Sequence, residues 1–107
     1  MIDCIFCKII AKNIPARICY EDEQVLAFDD IHPKAPLHKL IIPKCHISTL
    51  NELTDQALAG HLLLVASKLA KELGVADYGY RVSMNCNHGG GQEVYHVHLH
   101  LMASPAV

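Results

Sequence analysis

The sequence predicts an α+β domain: an antiparallel sheet of about five strands, with one long and one short helix on one side of it. Three observations carry this. Leu58, Leu62, Val65, Leu69 and Leu73 recur at three- and four-residue steps, as a core-facing helical stripe does. Short runs rich in apolar residues are separated by turn formers, as strands are. From His96, histidine alternates with Val97, Leu99 and Leu101, the period of two of a half-buried strand.

In chain order, Asp3 is placed to cap a short helix with apolar side chains Ile5, Phe6, Ile9 and Ile10, and Ile14-Pro15 ends it. Residues 17–20 and 25–28 read as two strands of a hairpin joined by the polar turn 21–24. Pro33 and Pro36 punctuate a loop before a strand over 39–43. Thr54 is the expected cap of the long helix, with Asp55 in its first turn and Gly74 as its stop. Leu63 and Leu64 fall off the apolar stripe and are either isolated exposed residues or a partner surface. Residues 80–85 form the next strand, a Gly-rich loop follows, and 95–102 is the last strand. There are no repeats and no linker, so residues 1–107 are expected to form a single domain.

Composition excludes several classes. The nine Lys and Arg are scattered and the net charge is -2, which argues against a basic nucleic-acid footprint. No apolar run approaches the roughly 20 residues of a membrane span. Met1-Ile2-Asp3-Cys4 lacks the basic-then-apolar order of a signal peptide, so a cytoplasmic location is expected. Five cysteines, an odd count, do not make a complete disulfide framework, and Cys4-x-x-Cys7 reads as metal ligands or a redox dithiol. Of eight histidines, His88, His96, His98 and His100 crowd one short stretch.

A strand over that stretch puts three imidazoles on one face and the apolar residues on the other. One zinc held by all three fits poorly, because His96 and His100 are roughly 13 Å apart at ~3.3 Å per residue. A division of labour fits better. Neutral imidazole can attack phosphorus and leave again, splitting one displacement into two. Gly89-Gly90-Gly91 just upstream lets backbone N–H groups approach phosphate oxygens.

These residues carry a resemblance. His-Val-His-Leu-His-Leu-Met, with Asn85, Gly90-Gly-Gln92 and Val94-Tyr95 before it, resembles the signature of the histidine triad family, in its Hint-type purine nucleoside phosphoramidase branch. Ile5-Phe6-Cys7-Lys8-Ile9-Ile10, Ile14-Pro15, Phe28-Asp-Asp-Ile31, Ala35-Pro36, His38 and Ile41-Ile-Pro-Lys44 match as well. The resemblance implies a homodimer whose two sheets join into one, and hydrolysis of a purine nucleoside 5'-monophosphate linked to an amine. It makes His98 the nucleophile that accepts the nucleotidyl group. His100 would touch the phosphate and assist the leaving group, with His38 completing the cluster. Asn85, Gly91, Gln92, Glu93 and Val94 would hold the phosphate, and Asp30 the ribose hydroxyls. Ile5, Phe6, Ile9, Ile14 and Leu40 would form the slot for the base. On pattern alone, Asp29-Asp30 is an acidic strand end and the apolar set is ordinary core.

Some bacterial members of the family pair two such cysteines with a histidine after the Pro-Lys strand and with the first triad histidine. By that likeness Cys4, Cys7, His46 and His96 would hold a structural zinc ion. Two departures stand out. Glu93 replaces a serine of many eukaryotic members, which bears on leaving-group contact. The chain ends at Val107, short of a tail that reaches the partner's site in some relatives, so looser specificity is expected. Dinucleoside polyphosphate hydrolysis, nucleotidyl transfer, and a nucleotide-binding interaction module with incidental turnover are the alternatives.

Overall fold

In the computed structural model, which describes residues 3–104, the chain runs α1 (Ile5–Ile10), β1 (Ile18–Glu21), β2 (Val25–Asp29), β3 (Leu37–Pro43), α2 (Gln56–Glu72), β4 (Arg81–Ser83) and β5 (Leu99–Ala103). Short 3-10 turns lie at Leu50–Glu52 and His88–Gly90. The two ends of the expected domain, with Met1, Ile2 and Val107, lie outside the described residues. The five strands form one antiparallel sheet in the order β1-β2-β3-β5-β4.

The helices lie on opposite faces of the sheet, not on one side. Along β2, Val25 and Ala27 pack with the α2 residues Leu58, Leu62, Val65 and Leu69. The alternate residues Leu26 and Phe28 pack with Phe6 and Ile9 of α1. β2 is therefore a continuous apolar run, because both of its faces are covered. Each fully buried Leu, Ile or Val in this layer contributes about 1.5–3 kcal/mol relative to exposure.

The caps differ from expectation. Cys4, not Asp3, caps α1: its Sγ accepts the Cys7 N–H at 3.4 Å, while Asp3 pairs with Lys8 at the surface. Lys12, at φ 64°, ends α1 before Pro15 is reached, as the Asn13 N–H returns to the Lys8 carbonyl. Asp55, not Thr54, caps α2 by accepting the Leu58 N–H. Gly74, at φ 77°, stops α2 as expected, with Val75 N–H on the Ala70 carbonyl and Gly74 N–H on the Lys71 carbonyl. That turn lifts Leu73 out of the core stripe, and it is exposed.

β4 is shorter than residues 80–85, and β5 begins at Leu99 rather than near Tyr95. Pro43, which would face Val97 in the β3–β5 register, has no N–H to give, and its carbonyl accepts the His96 Nε2–H at 2.8 Å. The ladder stops there. Val97 N–H pairs instead with the Ile47 carbonyl at 2.7 Å.

The β1–β2 turn is pinned to α2 through Asp22. Its carboxylate accepts from the Tyr20 hydroxyl, the His61 ring, and the Gln24 and Val25 N–H groups. Burial pushes Asp22 up, but these donors outweigh it and hold the carboxyl well below the usual range. Among the described residues no helix is long and apolar enough to cross a membrane.

Candidate functional site

On the α1 face of the sheet a cavity of about 320 Å³ opens between α1, the end of β2 and the 85–94 loop. Its walls include Ile5, Phe6, Ile9, Ile14 and Leu40, then Asp30, then Asn85, Gly91, Glu93 and Val94, and finally His98 and His100. Two of the expected site residues do not line it. His38 is buried behind His100, and the Gln92 carboxamide is buried beneath the loop. The loop after β2 adds residues that the pattern did not single out, among them Lys34. Only its place in a Pro-bounded loop four residues before His38 hinted at it.

Hydrogen-bond partners set the ring tautomers, since a carbonyl only accepts and a backbone N–H only donates. His98 Nδ1 lies 2.8 Å from the His96 carbonyl, so Nδ1 carries the hydrogen and Nε2 keeps a bare lone pair. His96 shows the opposite arrangement: Nε2–H donates to the Pro43 carbonyl and Nδ1 is bare. His38 Nδ1 accepts the Lys34 N–H at 3.1 Å, so its Nε2–H donates to His100 Nδ1 at 3.0 Å. His100 therefore carries its hydrogen on Nε2. The Phe6 ring stands edge-on between His96 and His98, with centroids 5.8 and 5.2 Å away.

Burial holds these rings neutral. It lowers His98 despite the His96 carbonyl and the charges of Asp30 and Glu93. His100 is pushed down to about 4 by burial and by its neighbours His98 and His38. His38 is lowered by burial too, against the pull of Asp30. Asp30 Oδ1 accepts the His32 N–H, and Oδ2 lies 3.5 Å from His38 Nε2. Each oxygen retains acceptor capacity toward a ligand.

Beside the cavity, Cys4, Cys7, His46 and His96 place four donor atoms within 4.8 Å of one another. Neighbouring donors are 3.5 Å (Cys4–His96), 3.3 Å (Cys7–His46) and 3.6 Å (Cys7–His96) apart. A tetrahedron with Zn–S of ~2.3 Å and Zn–N of ~2.1 Å has edges of roughly 3.4–3.8 Å. The donors fit, and the bare Nδ1 of His96 is the atom that faces the sulfurs. Burial and the adjacent Cys4 push the Cys7 thiol up, so a dication here would displace its proton. Asp30, His38 and His100 also cluster within 4.8 Å, with His38 Nε2 and His100 Nδ1 joined by a hydrogen bond at 3.0 Å.

Comparison with known proteins places this geometry. The HIT domain model matches residues 11–106, beginning just after α1. Protein HitA of Neisseria gonorrhoeae is 47% identical, over 98% of this chain and 99% of that protein. The purine nucleoside phosphoramidase of Escherichia coli (strain K12) is 52% identical, over 92% of this chain and 84% of its own. The crystal structure of a HIT family hydrolase from Legionella pneumophila Philadelphia 1 superposes with a TM-score of 0.92 at 51% identity, covering 94% of this chain and 92% of that one. A histidine triad protein from Clostridium difficile gives 0.93 at 44% identity, covering 100% and 95%. The histidine cluster, the sheet that carries it and these matches agree: the chain belongs to the HIT domain family.

Proposed function

We propose that this protein is a hydrolase of purine nucleoside 5'-phosphoramidates acting through a nucleotidyl-histidine intermediate on His98. The observation that carries the proposal is the bare Nε2 of His98 in the cavity wall, with the ring fixed from its other side by the His96 carbonyl. In the first step Nε2 attacks phosphorus, a P–N bond to His98 forms, and the P–N bond to the leaving amine breaks. His100 Nε2–H is the donor available to that amine. That N–H hydrogen-bonds to the amine, and the proton with which the amine departs comes from the medium, since neutral His100 has its Nδ1 occupied by the His38 hydrogen. In the second step water attacks phosphorus, its proton goes to the histidine cluster, and His98 Nε2 departs with its lone pair. His38 is a positioning residue that holds His100 in the required tautomer.

The apolar wall of Ile5, Phe6, Ile9, Ile14 and Leu40 suits a purine, and Asp30 a vicinal diol, which offers two donors to a carboxylate. Asn85, Gly91, Glu93 and Val94 border the phosphate end. At the neighbouring cluster, Cys4, Cys7, His46 and His96 would hold a structural zinc ion, whose contribution is to cross-link α1 to the approach of β5. A panel comparing adenosine 5'-phosphoramidate with a dinucleoside polyphosphate tests the reading. Faster turnover of the polyphosphate overturns it.

The neutral cluster predicts the pH profile. Because burial holds both His98 and His100 below the ordinary 6.5, turnover should persist as the medium falls below 6.5 and fail only once these rings take up protons. An acid limb centred on 6.5 would contradict this. Stability follows the same window: the neutral His100 ring contributes fully above 6.5, and that contribution drains as pH falls toward about 4.

The working unit in this reading is a homodimer. Leu63 and Leu64 of α2 are 56% and 70% exposed, and β4 is an edge strand that pairs only with β5 among the described residues. A two-fold interface applies one substitution twice. Leu63→Glu should therefore shift the mass in light scattering from dimer toward monomer. A monomeric wild type at micromolar concentration refutes the dimer.

A further inference from the structure

Gln92 is a buried polar side chain that the chemistry above does not use. It is 6% exposed and absent from the cavity wall, although Gly91 and Glu93 on either side line it. Its carboxamide is fully engaged. Oε1 accepts the Asn87 N–H at 2.8 Å, and Nε2 donates to the Ser48 carbonyl at 2.8 Å and the Val94 carbonyl at 3.1 Å. The Gln92 N–H also donates to the Asn87 carbonyl at 3.0 Å, closing the 87–92 loop into a ring. Asn87 sits at φ 60° and ψ 179°, a region that residues other than glycine occupy only when their surroundings force it. Gln92 meets both its N–H and its carbonyl.

We propose that Gln92 is a positioning residue that sets the shape of the phosphate end of the site. It fastens the loop bearing Gly91, Glu93 and Val94 to the Ser48 carbonyl on the segment after β3. It does so without touching the ligand. This rests on the nucleotide reading above but assigns Gln92 a different part from direct phosphate contact. A buried carboxamide with three partners cannot be replaced without leaving backbone groups unpaired or a carboxylate facing two carbonyls. The loop would then relax from its strained form, and the wall facing the phosphate would move while the apolar wall on α1 would not.

The test compares binding of adenosine 5'-monophosphate and adenosine by titration calorimetry in wild type, Gln92→Met and Gln92→Glu. Met keeps the length with no hydrogen bonds and no charge, so it serves should Glu impair folding; thermal melts confirm the folded state at the assay temperature. The nucleotide should bind either folded variant about tenfold or more weakly, while adenosine binding changes by less than about twofold. A general loss of structure would weaken both ligands alike, and that result overturns the proposal. Unchanged nucleotide binding overturns it too. A wild type that binds the nucleotide no better than adenosine overturns the nucleotide reading itself.

Discussion

His98→Asn should reduce turnover of adenosine 5'-phosphoramidate by about four orders of magnitude or more, the scale on which removal of an enzymatic nucleophile acts. Folding and nucleotide affinity should change little. The reason lies in the tautomer. The His98 hydrogen is held on Nδ1 by the His96 carbonyl, so Nε2 is the one unprotonated nitrogen this ring offers to the cavity. His100 cannot take over, because its Nδ1 is occupied by the His38 hydrogen and burial has drained its basicity. Asparagine offers no lone pair able to form and release a phosphorus–nitrogen bond. Mass spectrometry of wild type quenched in alkaline denaturant during turnover should show one nucleotidyl adduct, absent from the variant. Retention of even a tenth of wild-type turnover would remove His98 from the role of nucleophile.

The second large effect concerns the Cys/His cluster. Cys4→Ser, or extraction of metal by a chelator, should lower the melting temperature by about 10 °C or more. An ion bound at a hundredfold its dissociation constant adds about 2.7 kcal/mol, and in a chain of this size 1 kcal/mol moves the midpoint by about 4–8 °C. Serine is the informative replacement. Cys4 caps α1 with its side chain, and a serine hydroxyl makes that cap as well or better, so the loss reports the cluster and not the helix end. Metal analysis should find one zinc per chain in wild type and less in the variant. A metal-free wild type of unchanged stability refutes the site.

Much of the architecture was legible in the sequence because its periodicities were clean. The α2 stripe from Leu58 to Leu69 packs on the sheet as read, and the alternation put Leu99 and Leu101 in the core, although His96 and His98 lie before β5 begins. The errors fall where two neighbouring residues compete for one role. Asp3 and Cys4 are both able to cap α1, as Thr54 and Asp55 are for α2, and only the path of the preceding chain decides between them. The two faces of β2 could not be told apart by polarity, since Val25, Leu26, Ala27 and Phe28 are all apolar, so the placement of α1 opposite α2 was hidden. The inward turn of Gln92 was hidden as well. Nothing in a Gly-Gly-Gln run states whether the carboxamide meets a ligand or three backbone groups of its own loop.

The backbone carbonyl behind His98 has a consequence for how easily the proposed intermediate resolves. In hydrolases built on a serine, a carboxylate behind the histidine stabilises the imidazolium and makes the ring a stronger base. Here the acceptor is an uncharged main-chain oxygen, and burial makes the ring less basic still. A less basic nitrogen parts more readily from an electrophile to which it is bonded. In the proposed reaction His98 would thus be a good leaving group as much as a nucleophile, so the adduct would persist only while substrate turns over, and the free protein would be restored once substrate is spent.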